Sequence, residues 1–204
     1  MTKENTNNRP LNTIGVILSG GAGQRLGGVD KGLEHYRNKP LIEHVIERLK
    51  NQVDDIIICA NRNLDLYQKY GYRLVVDAEP EQYQGPMAGI SAAINCLSKG
   101  ASDRNNHCLL ISSCDSPELP FDHGKKLIQQ MQSHSASSSV VHDGVRLQNL
   151  HCVIDESAWK SLVQFYDQGG RAMHRWHKKN GSINVNFTDQ AASFSNINST
   201  DKML

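Results

Sequence analysis

The stretch Leu18 to Lys31, L-S-G-G-A-G-Q-R-L-G-G-V-D-K, follows a continuous apolar run, Ile14 to Leu18, and precedes a helix-like segment. Glycine takes positive φ without steric cost, and a backbone lacking Cβ lets successive N–H groups converge on an anion at close range. Five glycines fall in this loop, Gly20, Gly21, Gly23, Gly27 and Gly28, more than a tight strand-to-helix turn requires. Arg25 and Lys31 add fixed positive charge. Together these features suit a ligand carrying several phosphates better than one carrying a single carboxylate.

Two standard phosphate loops fail on these residues. A P-loop needs Gly-Lys followed by Ser or Thr, and the order here is Asp30-Lys31-Gly32. A dinucleotide fingerprint needs G-x-G-x-x-G, but Gly21-Ala22-Gly23-Gln24-Arg25 is followed by Leu26. The acidic residue expected at the end of the second strand is also missing, since that strand ends at Cys59.

Outward from the loop, Ile14 to Leu18 is the pattern of a strand buried on both faces of a parallel sheet. From Pro40, the apolar positions Leu41, Ile42, Val45, Ile46, Leu49 and Val53 recur at helical spacing. Asp55 to Cys59 is a second buried strand, followed by the polar turn Ala60-Asn61-Arg62-Asn63; Arg73 to Val76 is a third, delivering Asp77 at its end. Gly85-Pro86 introduces a helix over Met87 to Leu97, and His107 to Ser112 is a fourth strand, followed by Cys114-Asp115-Ser116-Pro117. Strands alternating with helices imply βαβ units and a mainly parallel sheet. Ligands bind such sheets beyond the carboxyl ends of the strands, where the glycine loop, Asn61, Asp77 and Asp115 all fall.

Past Pro120 the pattern weakens. Phe121 to Met131 reads as helical and Ser133 to Ser139 as a serine-rich breaker. Val140 to His142 and Leu150 to Ile154 read as strands about an Asp143-Gly144 turn. Glu156 to Tyr166 and Arg171 to Lys179 are helix candidates, and there is no internal repeat. His174 and His177 stand three apart on the last of these; with no third ligand in view they read as a surface pair rather than a zinc site.

The chain has 204 residues and a formal net charge of +1, with lysines and arginines scattered along its length. That distribution carries no electrostatic footprint for nucleic acid or an anionic membrane. Residues 1–13 are polar, lack the apolar core of a signal peptide and read as a disordered leader; residues 14–204 read as one domain. No run approaches the roughly 20 apolar residues of a membrane span. Five cysteines, Cys59, Cys96, Cys108, Cys114 and Cys152, include no C-x-x-C pair and mostly lie in apolar runs, the pattern of reduced thiols in a cytosolic protein.

Residues 18–31 resemble the L-x-G-G-x-x-x-R-[ML]-G-G-x-D-K signature of nucleotidyltransferases, most closely the molybdenum cofactor guanylyltransferases. The likeness continues at Lys39-Pro40-Leu41, Ala60-Asn61-Arg62, Gly85-Pro86-Met87-Ala88-Gly89, Cys114-Asp115-Ser116-Pro117 and Phe194-Ser195-Asn196-Ile197-Asn198, and so spans nearly the whole chain. It implies a three-layer, Rossmann-like α/β nucleotidyltransferase fold and transfer of GMP from GTP to the terminal phosphate of molybdopterin, with release of pyrophosphate. The cytidylyltransferases of the same scaffold are the nearest alternative, and the Gly20-Gly21 pair favours the guanylyl branch. A nucleotide-binding sensor without catalysis is the alternative from another class. Acceptor molybdoenzymes or their chaperones are the protein partners implied.

The resemblance also assigns roles. Leu18, Ser19, Gly20, Gly21 and Lys31 would lie at the nucleotide, with Arg25 and Lys31 neutralising charge that develops on the phosphates. Asp115 would hold Mg²⁺; on spacing alone it is equally a turn or N-cap aspartate ahead of Ser116-Pro117. Asp77 would accept from the guanine N1–H and amine or hold a ribose hydroxyl, against a plain reading as a solvated loop acid. Asn61 serves nearby, because Cys59 stands where relatives often have asparagine. Asn196 and Asn198 would meet the acceptor, and Arg171, in Gly169-Gly170-Arg171, its phosphate; paired asparagines in a tail are otherwise common turn formers.

Overall fold

Alternation within β1 (Asn12–Leu18) decides the layering: Ile14, Val16 and Leu18 enter one apolar cluster, and Ile17 enters another on the opposite face. A strand apolar on both faces must be covered on both. The computed structural model describes residues 11–19, 30–79, 82, 84–100 and 106–197. Among these, seven strands form one sheet in the order β5-β4-β1-β6-β8-β7-β9. β4 (Asp55–Cys59), β5 (Arg73–Val75) and β6 (His107–Ser113) run with β1; β8 (Leu147–Asp155) runs against β6 and β7 (Ser138–His142), and β9 (Ile183–Asn186) pairs parallel with β7. The sheet is mainly parallel, as expected, with β8 alone reversed among its seven described strands.

α1 (Leu41–Leu49) and α4 (His123–Ser133) cover the face that carries Ile17, Ile56, Ile58 and Leu110. α3 (Pro86–Gly100), α5 (Glu156–Asp167) and α6 (Met173–Asn180) cover the face of Val16, Ile57, Leu109 and Ile111. α1 forms where its pattern places it: Leu41, Ile42, Val45, Ile46 and Leu49 make one buried stripe. It ends at Leu49, short of Val53. α5 starts on Asp155, whose carboxylate accepts from the Ser157 amide, and α6 stops at Gly181, whose φ of 71° suits a left-handed cap.

Strand order locates the ligand edge. From β1 the chain steps outward to β4 and β5, then crosses back over β1 to β6 on its other side. Successive connections therefore leave the carboxyl ends of β1 and β6 in opposite directions, which opens a crevice between them. Leu18 pairs with Ser113 at this point, and the Cys114 amide donates to the Leu18 carbonyl at 3.1 Å. The glycine loop leaves one strand here, and the Cys114-Asp115 turn leaves the other.

Several expectations need correction. Ser138 and Ser139 are the first residues of β7, not part of a breaker. Their hydroxyls are satisfied inside: Ser139 Oγ donates to the Leu127 carbonyl of α4, and Ser138 Oγ pairs with Ser182 Oγ. His177 is not on the surface. It is buried, with Nε2 donating to the Asn149 carbonyl at 3.1 Å and Nδ1 facing Ser182 Oγ at 2.9 Å; burial holds its pKa below the usual histidine value. The last helix begins at Met173, leaving Arg171 in the turn before it. β8 begins at Leu147, because Asp143 caps a tight hairpin by accepting from the Val145 and Arg146 amides with Gly144 at φ 96°. Not anticipated were the small hairpin of β2 (His35–Tyr36) and β3 (Lys39–Pro40), the short α2 (Leu64–Gln68), and β9. Each is too short for periodicity to register. Among the described residues no helix is long and apolar enough to cross a membrane.

Candidate active site

Lys31 and Asp115 meet at the crevice. Lys31 opens a single 3₁₀ turn, Lys31–Leu33, and its Nζ lies 2.8 Å from Asp115 Oδ2. The other carboxylate oxygen accepts from Ser113 Oγ at 2.6 Å. Ser113, the last residue of β6, is thus an orienting group that the sequence reading did not identify. Both members of the ion pair keep some solvent access, 22% and 14% of their side chains, so a polyanionic ligand can reach them.

Lys31 is aimed by its neighbour. Asp30 is buried, and its carboxylate accepts from Tyr67 Oη at 2.7 Å and Asn63 Nδ2 at 3.0 Å, with Arg62 Nε 3.8 Å away. A buried carboxylate persists only when paired and hydrogen-bonded, and here the partners come from α2 and the turn before it. Tyr67 is itself fully buried, which raises its pKa and keeps the phenol a donor. Gly32 follows from the same packing, since a Cβ at that position would collide with the Tyr67 hydroxyl. In the sequence Asp30 is marked only by its place in G-G-V-D-K; its buried partners come from the tertiary packing.

On the other side of β1 stand Asn61 and Asp77. They bind reciprocally: Asn61 Nδ2 donates to Asp77 Oδ2 at 2.8 Å, and the Asp77 amide donates to Asn61 Oδ1 at 3.1 Å. Asn61 thereby orients Asp77, and its second Nδ2–H is uncommitted among the described residues. Burial raises the Asp77 pKa while the Asn61 hydrogen bond pulls it back down. α3 approaches closely here. A Cβ on Gly89 would lie 3.2 Å from Cys59 Cβ, 3.3 Å from Leu18 Cδ2 and 3.5 Å from Asp77 Oδ1, so the last glycine of G-P-M-A-G sets the gap beside Asp77. Cys59 donates its S–H to the Gly89 carbonyl at 3.3 Å, and burial raises its pKa. It is a packing thiol under this edge. Leu18 and Ser19 are buried at the end of β1, where the Ser19 amide donates to the Cys59 carbonyl at 2.8 Å.

The C-terminal tail closes the other flank. Phe194 is buried among the rings of Phe187, His123 and His151, which holds the following residues against Asp115. The Ile197 amide donates to the Asp115 carbonyl at 2.9 Å, and Asn196 Oδ1 accepts from Ser116 Oγ at 3.1 Å. Arg171 lies elsewhere: its guanidinium donates to the carbonyls of Tyr166 and Gly170 and to Gln84 Oε1. All three acceptors are neutral, so these bonds orient the guanidinium without themselves cancelling its charge. Gly20, Gly21, Arg25 and Asn198 lie outside the described residues.

Among the described residues no three His, Cys, Asp or Glu side chains gather into a metal cage. One carboxylate with an adjacent hydroxyl is an oxygen donor set that fits a hard divalent ion taking its remaining ligands from phosphates and water. It does not fit zinc.

The family model described as the MobA-like NTP transferase domain matches residues 15–181. This chain belongs to the MobA-like NTP transferase family. Among curated MobA-like relatives, the molybdenum cofactor guanylyltransferase of Polynucleobacter asymbioticus is 38% identical over 198 residues, covering 95% of each chain. Enzymes of the same name from Shewanella pealeana and Cupriavidus metallidurans are each 36% identical and cover 92% and 93% of this chain, and 90% and 91% of their own. The crystal structure of molybdopterin-guanine dinucleotide biosynthesis protein A from Archaeoglobus fulgidus superposes with a TM-score of 0.73 at 20% identity, covering 93% of this chain and 94% of that one. That likeness establishes the MobA-like fold.

Proposed function

We propose that this nucleotidyltransferase is a molybdenum cofactor guanylyltransferase, transferring GMP from GTP to the terminal phosphate of molybdopterin as its molybdenum cofactor. An acceptor phosphate oxygen attacks the α-phosphorus of GTP, the new P–O bond forms, and the bond from the α-phosphorus to the bridging oxygen breaks as pyrophosphate leaves. Charge develops on the phosphates throughout, so positioning and electrostatic stabilisation are the protein's main tasks. The observation that carries the reading is the Lys31–Asp115 pair at the crevice between β1 and β6. Chains of this length and likeness that bear the guanylyltransferase name support it.

In this reading Lys31 binds the phosphates of GTP, assisted by Arg25 and the amides of Gly20 and Gly21, with Leu18 and Ser19 flooring the nucleotide. Asp115, steadied by Ser113, would hold Mg²⁺, which supplies charge neutralisation on the phosphate oxygens when bound. Asp77, oriented by Asn61, accepts from the guanine edge. Asn196 and Asn198 meet the acceptor, and Arg171 offers a pre-oriented charge for its phosphate. Residues 14–204 act as one domain, and the reduced thiols suit the cytosol.

The test is pyrophosphate release across the four nucleoside triphosphates, with and without molybdopterin. GTP-dependent release that requires molybdopterin and Mg²⁺ is expected. Preference for CTP would make the chain a cytidylyltransferase; no release with any triphosphate would make it a nucleotide sensor.

A further inference from the structure

Ser116 is fully buried, and its hydroxyl has two partners: His151 Nε2 at 3.0 Å and Asn196 Oδ1 at 3.1 Å. A hydroxyl has one proton to give. It is given to the amide oxygen of Asn196, so the contact with His151 runs the other way, with Nε2–H donating to Ser116 Oγ. His151 is therefore the Nε2–H tautomer, and its Nδ1 is a bare nitrogen, buried without a hydrogen-bond partner among the described residues. A proton there would place an unpaired charge in a buried position near His123. Burial and His123 accordingly push the His151 pKa down to about 3. The ring is a neutral donor that points one way.

The relay has a consequence at its exposed end. With Oδ1 held by Ser116, the Asn196 amide cannot flip without breaking that bond, and its Nδ2 donors, which meet no acceptor among the described residues, are left for solvent or ligand. Asn196 lines a cleft of about 260 Å³ together with Ser113, Gln148, Asn149 and His151. Ser113 is the residue that orients Asp115, and the amide after Asn196 donates to the Asp115 carbonyl. The cleft is therefore next to the proposed reaction centre. β8 supplies His151 because, within the seven-stranded sheet, it runs antiparallel to β6, which brings its first half to the ligand edge.

We propose that His151 is a positioning residue for the acceptor: through the Ser116 hydroxyl it fixes the Asn196 amide with its donor end toward the cleft beside Asp115, ready for oxygen acceptors on the incoming phosphate or pterin. The proposal rests on the guanylyl-transfer reading above. A role in packing alone, against Phe194 at 5.6 Å, would make the ring's shape matter and its Nε2–H irrelevant.

Steady-state kinetics of the full chain with GTP and molybdopterin separate these roles, with GTP binding measured independently by calorimetry. His151→Leu and Ser116→Ala should each raise the acceptor KM about tenfold, the effect of one lost hydrogen bond, while the GTP Kd stays within about twofold. His151→Gln, whose amide N–H can still donate to Ser116, should recover most of the loss. Combining His151→Leu with Ser116→Ala should add little to either alone. Should His151→Leu fold poorly, the comparison of Ser116→Ala with wild type and with His151→Gln carries the same decision. An acceptor KM unmoved by folded variants, a GTP Kd rising in step with it, or a Gln variant as impaired as Leu would each overturn the proposal. If wild type transfers no GMP to molybdopterin, the guanylyl reading fails and the proposal falls with it; if wild type transfers normally and the variants match it, the proposal alone fails.

Discussion

Lys31 Nζ and Asp115 Oδ2 are 2.8 Å apart across 84 residues of chain. The contact exists because β1 and β6 are neighbours in the sheet and both release their chains at the same edge. It brings the cation of the glycine loop and the carboxylate proposed for Mg²⁺ to one point, with Ser113 on the free carboxylate oxygen. Either residue alone would be an ordinary charge at a strand end.

Removing either charge should therefore damage turnover far more than stability. Lys31→Ala is expected to lower kcat on the order of 10²-fold, as for loss of one preorganised charge-stabilising group, and Asp115→Ala at least as much. The pair is mostly buried, so removing one partner costs some stability, but the 22% and 14% of side chain that stay exposed let water solvate the charge left behind, and the fold should be retained. A variant that keeps wild-type turnover would return that residue to the role of a surface ion pair.

Tyr67→Phe should behave in the opposite way. It leaves Asp30 Oδ1 without its donor in a buried position, and a lost hydrogen bond to a charged group costs about 1.5–3 kcal/mol. Urea unfolding should show that loss as a lower midpoint with an unchanged slope. An unchanged midpoint would mean that Asn63 and Arg62 hold Asp30 by themselves.

Asp77 should make GTP binding sensitive to mild acid. To accept from the guanine N1–H and amine it must be ionised, and burial has raised its pKa, so affinity should begin to fall at a higher pH than for an ordinary aspartate. The Asn61 hydrogen bond is the influence holding that pKa down. Asn61→Ala should shift the fall to still higher pH, as read from the GTP Kd across a pH series. Identical profiles for the two proteins would show that Asp77 does not touch the base.

Buried histidine rings should set the acid limit of the fold, His123 and His151 foremost, with His177 acting in the same direction. Burial lowers the pKa of His123 to about 4 and, together with His123, that of His151 to about 3, from an ordinary value of 6.5. Between those values the unfolded chain binds protons that the folded chain refuses, so stability is full above about pH 6.5 and declines as pH falls through the window. Each ring contributes a slope of up to about 1.4 kcal/mol per pH unit. Chemical denaturation at pH 7, 6 and 5 should show the decline, and His151→Gln should flatten it. A stability independent of pH over this range would mean that the rings are protonated in the folded state.

Short-range order along the chain determined the buried strands from Ile14, Asp55 and His107, the stripe of α1, and which of the described residues stand at strand ends, and it is the ground for proposing a phosphate loop at residues 18–31. These depend on glycine conformation and on side-chain periodicity, both local properties that a linear string displays. The ordered motifs were enough to point to the family. Tertiary structure decided the partners: Lys31 with Asp115, Asp30 with Tyr67, Asn61 with Asp77, and Ser116 between His151 and Asn196. It also buried His177 and turned Ser138 and Ser139 from a breaker into a strand. A buried polar group takes whichever partner the strand order brings within about 3 Å, and that order is set by the packing of apolar faces between distant segments, which no local pattern encodes.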